Sequence, residues 1–300
     1  MTTRSNGPAA GFRWLKKGFS VGFRHPKPLL GGAAFLVVAC LLPALITVPM
    51  QFYAATAGSP PNAATFVGIM AVSMLISLLL VPLQAGYLQL VDAAERGLPA
   101  RALDIFNPYR QGEALRLIGY GLAVMVVYVA IIGLIFVVTT GGGTADWYIQ
   151  ALTAQANHQP PPGLPNGFGI AIPLFMVLWL LIVGFLAIGL GQVALGRRHV
   201  FGAIGDGLIG AVKNVLPLLV FGVTAILAGI GLVIAFAIVA ILITLLGKLV
   251  GAWLVVVLLA PLYIALFMGM FMVMFGTMYY LWRDVCGDDL VPDIAHAITA

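Results

Sequence analysis

Of the 300 residues, 62% are hydrophobic and 8% charged, against roughly 25% charged in soluble domains. Ten acids and fifteen bases cannot clothe a water-facing surface of this size, and the mean hydropathy of +1.08 describes a chain whose surface meets lipid. The net charge of +5 does not point to nucleic acid, because the bases flank apolar runs instead of sharing one folded face. The length suits a single membrane domain.

The first element in chain order is an amphipathic helix. Phe12, Leu15, Phe19 and Phe23 recur at helical spacing, with Arg13, Lys17, Ser20 and Arg24 largely opposite. Such a helix is expected to lie in the membrane interface, apolar stripe toward lipid. Arg13, Lys16, Lys17 and Arg24 are then candidate contacts for anionic lipid headgroups. Six apolar stretches follow at about 29–53, 65–91, 115–139, 169–195, 215–246 and 249–282. Each exceeds the ~20 residues that cross a bilayer core as a helix. The fifth and sixth are nearly joined, and a tight turn is expected at Gly247-Lys248. The run near 55–57 ends in Ala-Thr-Ala, yet the basic segment and apolar stretch before it are long for a cleaved leader, so an uncleaved signal-anchor is expected.

With six alternating spans, fourteen of the fifteen bases fall on one side and only Lys248 on the other. That asymmetry places both termini in the cytoplasm. On the opposite side, 146–156 is expected to form a short helix carrying Trp147 and Tyr148 at headgroup level.

The chain also contains an internal repeat. Phe12–Leu30 aligns without gaps on Phe201–Leu219, pairing Phe12 with Phe201, Gly18 with Gly207, Arg24 with Lys213 and Pro28 with Pro217. Phe201, Ile204, Leu208 and Val212 repeat the apolar stripe, and Lys213 joins the candidate headgroup contacts. Further on, the run ending Pro82-Leu83 resembles that ending Pro261-Leu262. The expected fold is therefore all-α and membrane-integral: a first repeat of interfacial helix plus hairpin (12–91), a central hairpin (115–195), a second, parallel repeat (201–282) and a tail (283–300).

Chemistry is sparse. No Asp, Glu, Lys, Arg or His occupies the middle of a span, which argues against a proton-coupled pump, an ion exchanger and an intramembrane metalloprotease. His25, His158, His199 and His296 lie at or beyond span ends, and Cys40 and Cys286 form no metal-binding motif. Neither a catalytic constellation, a cofactor motif nor a metal motif is found. Ser73, Ser77, Pro82, Gln84 and Pro261 mark candidate helix breaks or a polar cleft. Met268, Phe271, Met272 and Phe275 form a candidate docking surface, since methionine-rich faces adapt to varied partners. Asp288, Asp289 and Asp293 form an acidic cluster in the tail.

Gly11–Leu30 (GFRWLKKGFSVGFRHPKPLL), Pro82–Gly97 (PLQAGYLQLVDAAERG), Asp104–Gln111 (DIFNPYRQ) and Tyr279–Asp284 (YYLWRD) together resemble the BPSS1780-type family of uncharacterised bacterial six-span inner-membrane proteins. More distantly, the pattern is similar to the membrane domain beside glycerophosphodiester phosphodiesterases. The resemblance implies a six-span fold and carries over no activity or catalytic residue. The expected function is a non-catalytic scaffold or accessory subunit, with protein partners or further copies of itself in the membrane. The alternative is a carrier or binder of lipid or another apolar molecule. An enzyme using Asp104, Arg110 or Arg197 at the cytoplasmic surface is the third reading.

Overall fold

Every long apolar run becomes a helix, because a backbone crossing lipid has only its own carbonyls to satisfy its N–H groups. The computed structural model describes residues 3–57, 63–156 and 159–287. Its helices are α1 (Ala10–Arg24), α2 (Pro26–Ala57), α3 (Ala63–Glu95), α4 (Asn107–Arg110), α5 (Ala114–Thr140), α6 (Gly143–Ala156), α7 (Phe168–Ala194), α8 (Val200–Lys213), α9 (Val215–Val250) and α10 (Ala252–Cys286). A 3-10 turn, Ala102–Phe106, precedes α4. Six of these helices, α2, α3, α5, α7, α9 and α10, contain a stretch long and apolar enough to cross a membrane. The protein is thus an all-helical, multi-pass membrane protein. The tail acids Asp288, Asp289 and Asp293, together with His158 and His296, lie outside the described residues.

The turn between α9 and α10 falls at Gly251, later than the expected Gly247-Lys248. Gly251 has φ 142°, a conformation that a side chain resists. Gly247 instead makes room, since a Cβ there would stand 2.2 Å from Val255 Cγ2. On the far side, α6 begins three residues before the expected helix, and Trp147 Nε1 donates to the Pro162 carbonyl at 3.2 Å.

The core gathers at the basic end of the bundle, where α1 and α8 lie and α3, α7 and α10 finish. Tyr87, Leu88, Ile188, Phe275, Tyr279 and Trp282 are buried there. Helix α10 is the hub and packs on α1, α7, α9, α2 and α3. Toward the other end side chains of the spans are more exposed. Leu249 of α9 and Val256 of α10 are 84% and 68% exposed, as befits side chains facing lipid.

The two aligned segments share a burial pattern. Trp14, Gly18, Val21 and Gly22 are buried on α1, and their aligned residues Ala203, Gly207, Gly210 and Ala211 are buried on α8. Phe12, Phe19 and Phe23 are exposed, and so are Phe201, Leu208 and Val212. Leu29 and Leu218, just beyond, are both buried. The paired prolines do not follow. Pro82 lies in the basic half of α3, roughly 20 Å before its end, whereas Pro261 lies roughly 38 Å before the end of α10, at 1.5 Å per residue. Pro82 is buried and Pro261 exposed, so the two are not equivalent positions.

Candidate functional site

Small residues hold α1 against the bundle. A Cβ on Gly18 would stand 2.3 Å from Thr277 Oγ1 and 2.6 Å from the Thr277 backbone nitrogen, so the two helices cross in near-contact. This is the close approach that lets dispersion hold helices together within lipid. Polar anchors then fix the helix at both ends. Trp14, fully buried, donates from Nε1 to Asp284 Oδ2 at 2.8 Å. Arg24 Nη2 donates to the Tyr280 hydroxyl at 2.8 Å and faces Glu95 Oε1 at 3.1 Å. The Tyr280 hydroxyl in turn donates to Glu95 Oε2.

The other acids at this end are similarly committed. Asp206 Oδ2 accepts from Arg198 Nε and from the buried Gln192 Nε2, both at 3.1 Å. Asp92 pairs with Arg96 at 2.8 Å, and Glu113 with Arg116 at 3.5 Å. Asp104 accepts from the Arg101 backbone at 2.7 Å and caps its turn. Of the residues in the third reading, Arg110 is exposed on α4, and Arg197 occupies the α7–α8 connection with φ 49°.

With α1 fixed, its large apolar face is turned away from α10 and onto a cavity. This space has a volume of about 1570 Å³ and is bordered by α1 and all six spans. Val81 and Leu78 of α3, Met125 of α5 and Leu186 of α7 form one side. Phe221 and Leu232 of α9, with Met270 and Met274 of α10, form another. Phe12, Phe19 and Phe23 line it while being 54%, 57% and 74% exposed, so the cavity is open along α1. Pockets for drug-sized ligands run to roughly 300–1,000 Å³; this one is larger and almost wholly apolar. Its polar lining includes Ser77, Gln84 and the tyrosines Tyr120 and Tyr128, and Lys16 is its one charged residue among those described.

The chain matches no family model, no curated protein and no solved structure. Function has to be argued from this geometry.

Several residues singled out from the sequence converge on the cavity. Ser77 and Gln84 line it, as do Phe271, Met272 and Phe275. Of the candidate docking surface, Phe275 is 2% exposed, and Met268, Phe271 and Met272 pack partly buried on the core, while nearby Met270 and Met274 are exposed. Ser77 Oγ donates to the Ser73 carbonyl one turn earlier at 2.8 Å. Near Pro82, the carbonyl of Leu79 accepts from the Tyr109 hydroxyl. Burial pushes the Tyr109 phenol up from its ordinary pKa, which keeps that donor protonated.

Among the headgroup candidates, Arg24 is engaged by Glu95 and Tyr280, and Lys213 Nζ donates to the Thr3 carbonyl at 3.2 Å. Lys17 Nζ stands 5.2 Å over the Tyr280 ring. Arg13 and Lys16 are exposed. Two features had no sequence signal. The acids Glu95, Asp206 and Asp284 are scattered along the chain, and only the fold brings them to their partners. The N-terminal arm is pinned by Asn214, whose Nδ2 donates to the Arg4 carbonyl at 2.9 Å and whose Oδ1 accepts from the Asn6 backbone at 2.8 Å.

Proposed function

We propose that the protein binds a lipid or another apolar amphiphile in the cavity among its spans and does no chemistry on it. The cavity carries this reading. In a membrane, an open apolar space of this size left empty would forfeit dispersion contacts of the atoms lining it, so it is filled by lipid chains or another apolar guest. Closure is resisted by the docked α1, whose position is set by Gly18, Trp14 and Arg24. The methionines and phenylalanines that suggested a partner surface serve a guest of variable shape equally well. A membrane setting with both termini cytoplasmic is what the base asymmetry supports. Membrane lipids are then the ligands closest to hand.

The test uses Gly229 and Gly269. Both border the cavity, and a Cβ at either meets nothing within 4 Å. Leucine at each position fills the space without a clash and also favours the helix. A guest must then leave or overpack, at about 1–3 kcal/mol. The Gly229→Leu/Gly269→Leu variant should fold normally and retain about tenfold less lipid through detergent purification, read by native mass spectrometry. Unchanged lipid retention in a monodisperse, fully helical variant would overturn the reading.

A further inference from the structure

The cavity wall supplies volume, but in a bilayer it supplies little preference. Lipid tails are as apolar as the residues that line it, so moving a chain from the bilayer into the cavity gains no hydrophobic free energy. Selectivity must come from polar groups at the opening, and the opening lies along α1. Lys16 is placed there in an unusual way. Phe12, Lys16, Phe19 and Phe23 follow one another at four-, three- and four-residue spacing, which is a single stripe on a helix. The base therefore interrupts the apolar stripe instead of joining the polar face, and it borders the cavity together with the phenylalanines on either side.

Its surroundings leave it available to an anion. Each described acid at this end already has a partner: Glu95 holds Arg24, Asp92 holds Arg96, Glu113 holds Arg116, Asp206 holds Arg198, Asp284 accepts from Trp14 and Asp104 caps its own turn. Lys16 is exposed and has no such partner among the described residues. Arg13, one turn earlier and also exposed, adds a second positive charge nearby. The depth fits as well. Cavity-lining residues on α10 run from Ala265 to Leu281, about 24 Å along the helix, which exceeds the ~15 Å of one leaflet's hydrocarbon.

Resting on the cavity reading above, we infer that the ligand is an anionic lipid, with its acyl chain in the cavity and its phosphate-bearing headgroup held at the α1 rim by Lys16. The lysine stem lies along the phenylalanines and its ammonium reaches the headgroup layer.

The experiment is a competition on the full-length, delipidated protein in detergent. Phosphatidylglycerol and phosphatidylethanolamine with identical chains are titrated and bound lipid is counted by native mass spectrometry. The wild type should prefer phosphatidylglycerol by about fivefold. Lys16→Gln should lose that preference while still binding phosphatidylethanolamine, Lys16→Arg should keep it, and Arg110→Gln, which removes an exposed base away from the cavity, should also keep it. No preference in the wild type, or an equal loss in Lys16→Gln and Arg110→Gln, would overturn the assignment to Lys16 and leave the cavity reading standing. Binding of both lipids that is indifferent to Gly229→Leu/Gly269→Leu would overturn the cavity reading itself.

Discussion

At the scale of single residues, the polar groups of this protein act mainly as fasteners at one end of the bundle. Trp14 shows the logic. Its indole is fully buried against α10, and its one donor meets the Asp284 carboxylate. A hydrogen bond to a charged acceptor contributes about 1.5–3 kcal/mol. Trp14→Phe keeps most of the packing and removes the donor, so it should lower the thermal midpoint in detergent by an amount corresponding to that range. A midpoint equal to that of the wild type would show that the indole N–H holds nothing. The Arg24–Glu95 pair is a weaker fastener taken alone, because the arginine side chain is 51% exposed and water screens it. Its contribution comes with Tyr280, which bonds both partners.

At the scale of elements, the spans were legible in the sequence because hydropathy over about 20 residues reports directly on the solvent around a helix. The orientation of the two interfacial helices was only half legible. The stripe of Phe12, Leu15, Phe19 and Phe23 was expected to face lipid, and Phe12, Phe19 and Phe23 are exposed and border the cavity. The opposite side was read only from its polar residues, Arg13, Lys17, Ser20 and Arg24, whereas Trp14, Gly18, Val21 and Gly22 are buried against the protein. The reason is physical. In water, large apolar residues mark the packed face, but inside lipid they face outward and small residues make the contact. The Pro82–Pro261 correspondence failed for a related reason, since short leucine-rich runs resemble one another wherever they fall along a span. Glycine contacts give this scale its prediction. Gly18→Leu drives a side chain into the Thr277 backbone and should lift α1 off α10, costing about 1–3 kcal/mol or more. Gly205→Leu, on α8 at a position with open space, should leave stability unchanged. Equal thermal midpoints for the two variants would contradict the docking described for α1.

At the scale of the whole molecule, the buried core gathers at the basic end of the bundle, and the cavity is bordered by α1 and all six spans. No single stretch of sequence encodes it. Its walls come from seven helices, and residues as distant as Phe12, Leu186 and Met274 meet only once the spans have assembled. Ser77, Gln84, Phe271, Met272 and Phe275 were visible as unusual residues beforehand, but they had been divided between a cleft and an outward docking face. The fold places all five at one cavity. The most direct test of this account is a density map of the protein reconstituted in nanodiscs of mixed anionic and zwitterionic lipid. The account predicts elongated density among Leu186, Met125 and Met274, rising from a headgroup beside Lys16. A bundle closed on itself, or a neighbouring subunit's side chains filling that space, would contradict it.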